Sequence, residues 1–171
     1  MALEIERKFL LSSDAWRQAI TQSTLYRQGY LTQGMEGVKA SVRVRVEGER
    51  GVLNIKSVRV GIARHEYEYG IPLAEANEML DTLCGSIVEK TRHLVSVGLH
   101  VWEIDEFHGD NAGLIVAEVE LAALDEVFER PAWLGIEVTD DARYYNVALA
   151  TKPYVTWNHK LAAPEWDERE Y

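Results

Sequence analysis

Val42-Arg43-Val44-Arg45-Val46 is a strict alternation of branched apolar and basic residues. Neighbouring side chains of an extended chain point to opposite sides, so the three valines cover one face of a strand and the two arginines crowd the other. Like charges sharing a strand face repel, and opposite charge must lie nearby. The same spacing recurs in Glu4/Glu6, Glu66/Glu68, Lys90/Arg92, Glu103/Asp105 and Glu118/Glu120, each on a segment patterned as a strand. Tyr67 and Tyr69 alternate with Glu66 and Glu68 as the valines do with the arginines. One such pair is an ordinary solvated strand face. Both signs, strand after strand, imply charge concentrated to hold a charged ligand.

Working outward, period-2 alternation marks eight strands, at 3–11, 24–33, 38–48, 51–57, 62–71, 87–97, 99–107 and 114–121. Gly48-Glu49-Arg50-Gly51 reads as a tight hairpin and His108-Gly109-Asp110-Asn111 as a looser one, so most neighbouring strands are antiparallel. Four short helices are expected between them. Ser13 or Asp14 caps a turn through Ile20, 73–83 stops at Gly85, 122–129 ends before Pro131, and Asp140 or Asp141 caps 142–150. Residues 151–171 read as a polar tail with scattered aromatics (Tyr154, Trp157, Trp166, Tyr171), packed on the body or frayed. No repeat or linker divides the chain, which gives one domain over 1–150 plus the tail.

The 171 residues, 47% hydrophobic and 27% charged with four prolines, have ordinary globular composition. The six pairs with Lys8, Lys56 and Arg64 contain eight acids and seven bases; the other 20 acids and 11 bases carry nearly all of the net charge of −10. That acidic remainder repels nucleic acid and anionic lipid. The lone Cys84 excludes an internal disulfide and a cysteine-rich zinc site, which fits a cytoplasmic home. No export signal or membrane span is expected.

Two architectures accommodate these strands. In a sandwich the apolar faces meet and the charged faces point to water. In a closed eight-stranded antiparallel barrel, of mostly β (α+β) class, the charged faces line a tunnel and short helices cover the apolar outside. Segregation of the charges by strand into acidic and basic pairs favours the barrel. The bases suit an extended polyanion, since arginine offers a planar fork to phosphate oxygens and lysine a compact charge. The acids suit a hard divalent cation such as Mg2+ or Mn2+, which takes carboxylate, water and phosphate oxygens. Together they imply a metal–polyphosphate complex and phosphoryl transfer to water.

Glu4-Ile5-Glu6-Arg7-Lys8 has the Glu-x-Glu-x-Lys form of the CYTH superfamily, the triphosphate tunnel metalloenzymes. Later elements resemble that family in order: Arg43-x-Arg45, Lys56, Arg64-x-Glu66-x-Glu68, Glu89-Lys90-Thr91-Arg92, Asp105 and Glu118-x-Glu120, with Gln28-Gly29-Tyr30-Leu31 and Val138-Thr139 as in the short bacterial members. The resemblance covers about residues 1–150. It implies an eight-stranded tunnel, dependence on divalent metal, and hydrolysis of triphosphates, most often inorganic tripolyphosphate. By position it implies phosphate binding by Lys8, Arg43, Arg45, Lys56, Lys90 and Arg92, with Arg64 as helper. Glu4, Glu6, Asp105, Glu118 and Glu120 would hold metal or position water, and Glu66 and Glu68 either do the same or pair with the bases. Lys8 bridges the two ends and Tyr30 is a phenol donor for the leaving phosphate, so Glu4, Glu6, Lys8 and Tyr30 form the expected catalytic set.

Alternatives stay open within the same tunnel: cyclisation of ATP, hydrolysis of nucleoside or thiamine triphosphate, or polyphosphate binding without catalysis. Expected partners are a small-molecule triphosphate and, as an assembly, a homodimer; nucleic acid and membrane are not. The third residue of Arg143-Tyr144-Tyr145-Asn146 is often lysine in related bacterial proteins, so Tyr145 puts one basic contact in doubt. His65, His93, His100 and His108 lack metal-site spacing, and Trp16, Trp102 and Trp133 read as packing residues.

Overall fold

The alternating segments fold as strands, in a computed structural model that describes residues 3–58 and 61–157. In chain order they are β1 (Leu3–Leu11), β2 (Ile20–Tyr30), β3 (Ala40–Glu47), β4 (Arg50–Ser57), β5 (Ala63–Ile71), β6 (Val88–Val97), β7 (His100–Phe107), β8 (Ile115–Glu120) and β9 (Leu134–Glu137), with helices α1 (Leu73–Thr82) and α2 (Asn146–Thr151). The first eight strands close a ring in the order β1-β5-β4-β3-β2-β6-β7-β8 and back to β1, every pairing antiparallel. The β3–β4 connection is the expected tight hairpin, with Gly48 at φ 59°, a conformation glycine adopts without strain.

The ring settles which face is inside. Arg43 and Arg45 point into the barrel, while Val44 and Val46 pack outside under Ala76 and Leu80 of α1. On the opposite wall Ile5, Phe9, Trp102, Ile104, Ala117 and Val119 form a second outer cluster with Trp16 and Trp133. Trp102 meets Phe9 and Trp133 edge-on at 5.7 and 5.6 Å. The charged faces are thereby shut inside by apolar burial on the outside, the larger stabilising term.

Three local expectations are corrected. β9 was not foreseen: Leu-Gly-Ile-Glu is too short to show alternation, yet it pairs with β1 at Phe9↔Glu137 and Leu11↔Leu134. Gly135 permits that approach, since a Cβ there would stand 2.8 Å from the Leu10 carbonyl oxygen. Residues 122–129 are not helical. Glu126 instead accepts the Ala122 N–H at 2.6 Å and pairs with His100, and Phe128 turns onto Phe9 and Trp102. The expected helix over 142–150 splits into a single turn at Ala142–Tyr144 and α2, because Tyr145 is extended at φ −74°, ψ 138°.

That split segment covers an end of the barrel, not its side. Tyr144, Leu149 and Ala150 pack with Tyr30, Val88, Phe107, Leu114, Val116 and Val138. The lumen is therefore filled with apolar side chains at one end and charged beyond it. Packing continues past 150: Tyr154 and Trp157 join this cluster, with Trp157 edge-on to Tyr144 at 5.2 Å. Trp166 and Tyr171 lie outside the described residues.

Candidate active site

Within the barrel is a cavity of about 250 Å³ whose lining includes all seven expected bases, Lys8 from β1, Arg43 and Arg45 from β3, Lys56 from β4, Arg64 from β5, and Lys90 and Arg92 from β6. Glu4, Glu6, Glu66, Glu68, Glu103, Glu118 and Glu120 share the wall. Strand register sets the pairing: Glu4 lies opposite Arg64, Lys8 opposite Glu118, Lys56 opposite Glu66 and Arg92 opposite Asp105, so charges of opposite sign meet across strands. Glu6 opposite Glu120 and Glu103 opposite Glu118 are like-charged.

Most bases are held by acids. Lys56 meets Glu4 at 2.9 Å and Glu66 at 3.5 Å, Arg64 meets Glu6 at 3.5 Å, and Lys8 meets Glu118 at 3.4 Å. Asp105, expected among the metal ligands, is bound by Arg92 at 2.8 Å and Lys90 at 2.7 Å, and is not on the cavity wall. Arg43 differs from the rest. Among the described residues it makes no ion pair, and the buried Nε groups of Arg43 and Arg45 have no acceptor. Buried guanidinium donors left without acceptors are a standing demand for an anion.

The acids form two proton-sharing pairs. Burial, then the Glu118 charge, raises the Glu6 carboxyl to about 8. Burial would raise Glu118 as well, but Lys8, Arg92, Lys90 and a hydrogen bond with Glu6 hold it well below its ordinary value. Burial likewise raises Glu4 to about 7; Glu66 resists burial through its bonds with Glu4, Lys56 and Asn54 and falls to about 2. Burial is overcome at Asp105 by Arg92 and Lys90, which hold it at about 2.

These shifts fix a pH dependence. Between the ordinary value of 4.5 and about 7 and 8, folded protein keeps protons on Glu4 and Glu6 that unfolded chain has lost, so stability falls as pH rises through that window. Glu66, Glu118 and Asp105 act oppositely, their contribution being lost only as pH drops below the ordinary carboxylate range. Melting temperature in chelator should peak near about pH 5 and decline toward about pH 7, above which burial of Lys90, which lowers its ammonium to about 7, acts in the opposite direction. Scanning fluorimetry showing a rise across that interval would contradict the pairing.

The donor set fits a hard divalent cation. Among the described residues no three acidic, histidine or cysteine side chains stand ready as a metal cluster. Instead Glu6 with Glu118, and Glu4 with Glu66, are like-charged pairs kept together by a proton and neighbouring bases. A divalent cation in place of those protons relieves the same repulsion with the oxygen ligands it prefers.

Glu47, Tyr26, Asn54 and Asn146 line the cavity without having been singled out in the sequence, and Tyr145 stood out there only for the lysine it replaces. Glu47 lines the cavity and pairs with Arg45 at 2.5 Å; its place two residues after Arg45 was the available signal. Tyr26, on the same face of β2 as Gln28 and Tyr30, has Arg45, Arg92 and Lys90 at 4.8, 5.0 and 5.7 Å from its ring centre. Tyr145 answers the missing lysine with an aromatic face, 5.0 Å from both Lys8 and Arg64, while its hydroxyl donates to the Thr139 carbonyl at 2.7 Å. Asn146 accepts from Lys90 at 2.9 Å; the sequence marks it only as the neighbour of Tyr145 in the family-like segment. Tyr30 lines the cavity, opposite Arg43 in register and 4% exposed.

Comparison with known proteins matches this architecture. The family model described as the CYTH domain matches residues 2–152. An inorganic triphosphatase of Acetivibrio thermocellus is 46% identical over 155 residues, spanning 90% of this chain and 97% of the relative. An inorganic triphosphatase of Nitrosomonas europaea is 35% identical over 150 residues, spanning 86% and 96%. A crystal structure described as that of an inorganic triphosphatase aligns with a TM-score of 0.64 at 34% identity, covering 88% of this chain and 95% of that one. With a closed barrel, an inward-facing Glu-x-Glu-x-Lys strand and a family match over nearly the whole length, the chain belongs to the CYTH domain family.

Proposed function

We propose that the lumen binds inorganic tripolyphosphate with Mg2+ or Mn2+ and hydrolyses a terminal phosphoanhydride bond, giving pyrophosphate and phosphate. The observation that carries this reading is the pair of unsatisfied, buried guanidinium Nε groups of Arg43 and Arg45 in a cavity with five further cations. Relatives at 46% and 35% identity bearing the name inorganic triphosphatase support the substrate class.

In this reading Lys8, Arg43, Arg45, Lys56, Lys90 and Arg92 grip the phosphates, and Arg64 assists. Glu4, Glu6, Glu118 and Glu120 hold the metal, with Glu66 and Glu68 beside them; Asp105 acts through Lys90 and Arg92, to which it is bonded. The cation, when bound, neutralises charge on the transferring phosphoryl group. Water attacks the terminal phosphorus, the bridging P–O bond breaks, and a lumen carboxylate takes the water proton. The bases hold the pyrophosphate product's negative charge, and in this reading the Tyr30 hydroxyl donates to it.

Phosphate release should be measured from purified protein offered tripolyphosphate, ATP and thiamine triphosphate in parallel, with Mg2+ or Mn2+ and with chelator. Release from tripolyphosphate at least about tenfold above the other two, and none in chelator, is expected, since about 1.4 kcal/mol of preferential binding suffices. No metal-dependent release from any of the three would overturn the enzyme reading.

A further inference from the structure

Three consecutive residues of the segment closing the barrel each meet a lumen cation. The Tyr144 carbonyl accepts from Lys8 Nζ at 3.3 Å, the Tyr145 ring faces Lys8 and Arg64, and Asn146 Oδ1 accepts from Lys90 Nζ at 2.9 Å. The last contact is chemically the most constrained. A lysine ammonium only donates, so the Asn146 atom facing it is the carbonyl oxygen. The same oxygen takes a second bond, from Gln28 Nε2 at 2.9 Å. Gln28 is fully buried, and its Oε1 has no partner among the described residues. The fold tolerates that unsatisfied acceptor while Gln28 Nε2 stays on Asn146.

On its other side Lys90 donates to Asp105 Oδ2 at 2.7 Å. Arg92 already binds both oxygens of that carboxylate, at 2.8 and 2.9 Å. Asp105 and Asn146 are the acceptors of Lys90 among the described residues, and only Asn146 is neutral. A neutral acceptor orients an ammonium without cancelling its charge, and two bonds leave the third N–H of Lys90 for a phosphate oxygen. A carboxylate in that place would compete with the phosphate.

We infer that Asn146 is a positioning residue for Lys90, acting with Asp105 as the second anchor that fixes the ammonium with its remaining N–H toward the phosphate site, from the segment that closes the barrel. This rests on the reading of the lumen as a tripolyphosphate site in which Lys90 touches substrate.

The test is steady-state hydrolysis of tripolyphosphate by wild type, Asn146→Ala and Asn146→Asp, alone and in a Lys90→Ala background, with melting temperatures beside them. Asn146→Ala should lower kcat/KM about tenfold, mostly through KM, a change equivalent to about 1.4 kcal/mol. Asn146→Asp should lose more than the alanine variant at unchanged melting temperature. A merely structural role at the start of α2 demands the opposite order, because aspartate suits a helix N-terminus. In the Lys90→Ala background Asn146→Ala should add nothing. If Asn146→Ala fails to fold, Gln28→Met, which removes only the bond behind Asn146, should still raise KM about threefold, as loss of one supporting hydrogen bond does. An Asn146→Asp variant as active as wild type, or a full effect persisting without Lys90, overturns the inference alone. Inactive wild type overturns it together with the functional reading.

Discussion

Glu6→Gln should abolish metal-dependent phosphate release while leaving the fold intact. The side chain sits between Glu118, with which it shares a proton, and Arg64 at 3.5 Å, deep enough that burial raises it to about 8. Glutamine reproduces the protonated form: it fills the same volume and still donates to Glu118. It cannot supply the negative oxygen that a divalent cation requires. Loss of a charge-stabilising group of this kind costs on the order of 10²–10³ in kcat. The variant should therefore fall at least about a hundredfold in turnover, while melting in chelator at pH 8 no lower than wild type, because it no longer loses a proton there. Turnover within about threefold of wild type would remove Glu6 from the metal site.

Arg45→Ala should act on substrate affinity. Arg45 is 6% exposed, pairs with Glu47, and lies over the Tyr26 ring at 4.8 Å with its Nε unsatisfied. Hydrogen bonds to charged groups contribute about 1.5–3 kcal/mol, so KM should rise about 10- to 100-fold with a smaller change in kcat. Arg45→Lys should recover only part of this, since lysine replaces a planar fork with a point charge. The measurement is a full substrate-saturation curve at fixed metal. An unchanged KM would show that phosphate does not reach Arg45.

Both residues were legible in the sequence because their chemistry is written in strand parity. Once Val42, Val44 and Val46 are assigned to one face, Arg43 and Arg45 must share the other, and the same reasoning places the acidic pairs. Parity says nothing of which face is inside. Segregation of sign by strand and the family resemblance favoured the barrel, and the ring closed by β1–β5 pairing shows it. Where parity does not operate, reading failed. β9 is four residues with a glycine, 122–129 is organised by Glu126 and Phe128, and 142–150 is broken at Tyr145 by tertiary contacts. Tyr145 and Asn146 lie on that broken segment, so no strand face announces that they reach the lumen. Asp105 shows the remaining limit: parity puts it inward, but only the packing of Arg92 and Lys90 around it explains why it is absent from the cavity wall.

The same parity explains how the lumen tolerates its charge. Eight acids and seven bases line one small cavity, and nearly every base is matched across a strand by an acid. Arg43 and the Nε of Arg45 are the exceptions. A metal–tripolyphosphate complex completes both incomplete parts, giving an anion to the arginines and a cation to the proton-sharing carboxylates.

That claim is tested most directly by anomalous diffraction from crystals grown with Mn2+ and tripolyphosphate. Manganese signal is expected inside the barrel among Glu4, Glu6, Glu118 and Glu120, with phosphate density against Arg43 and Arg45. Manganese confined to the outer surface, or tripolyphosphate bound outside the barrel while the lumen stays closed on its own ion pairs, would contradict it.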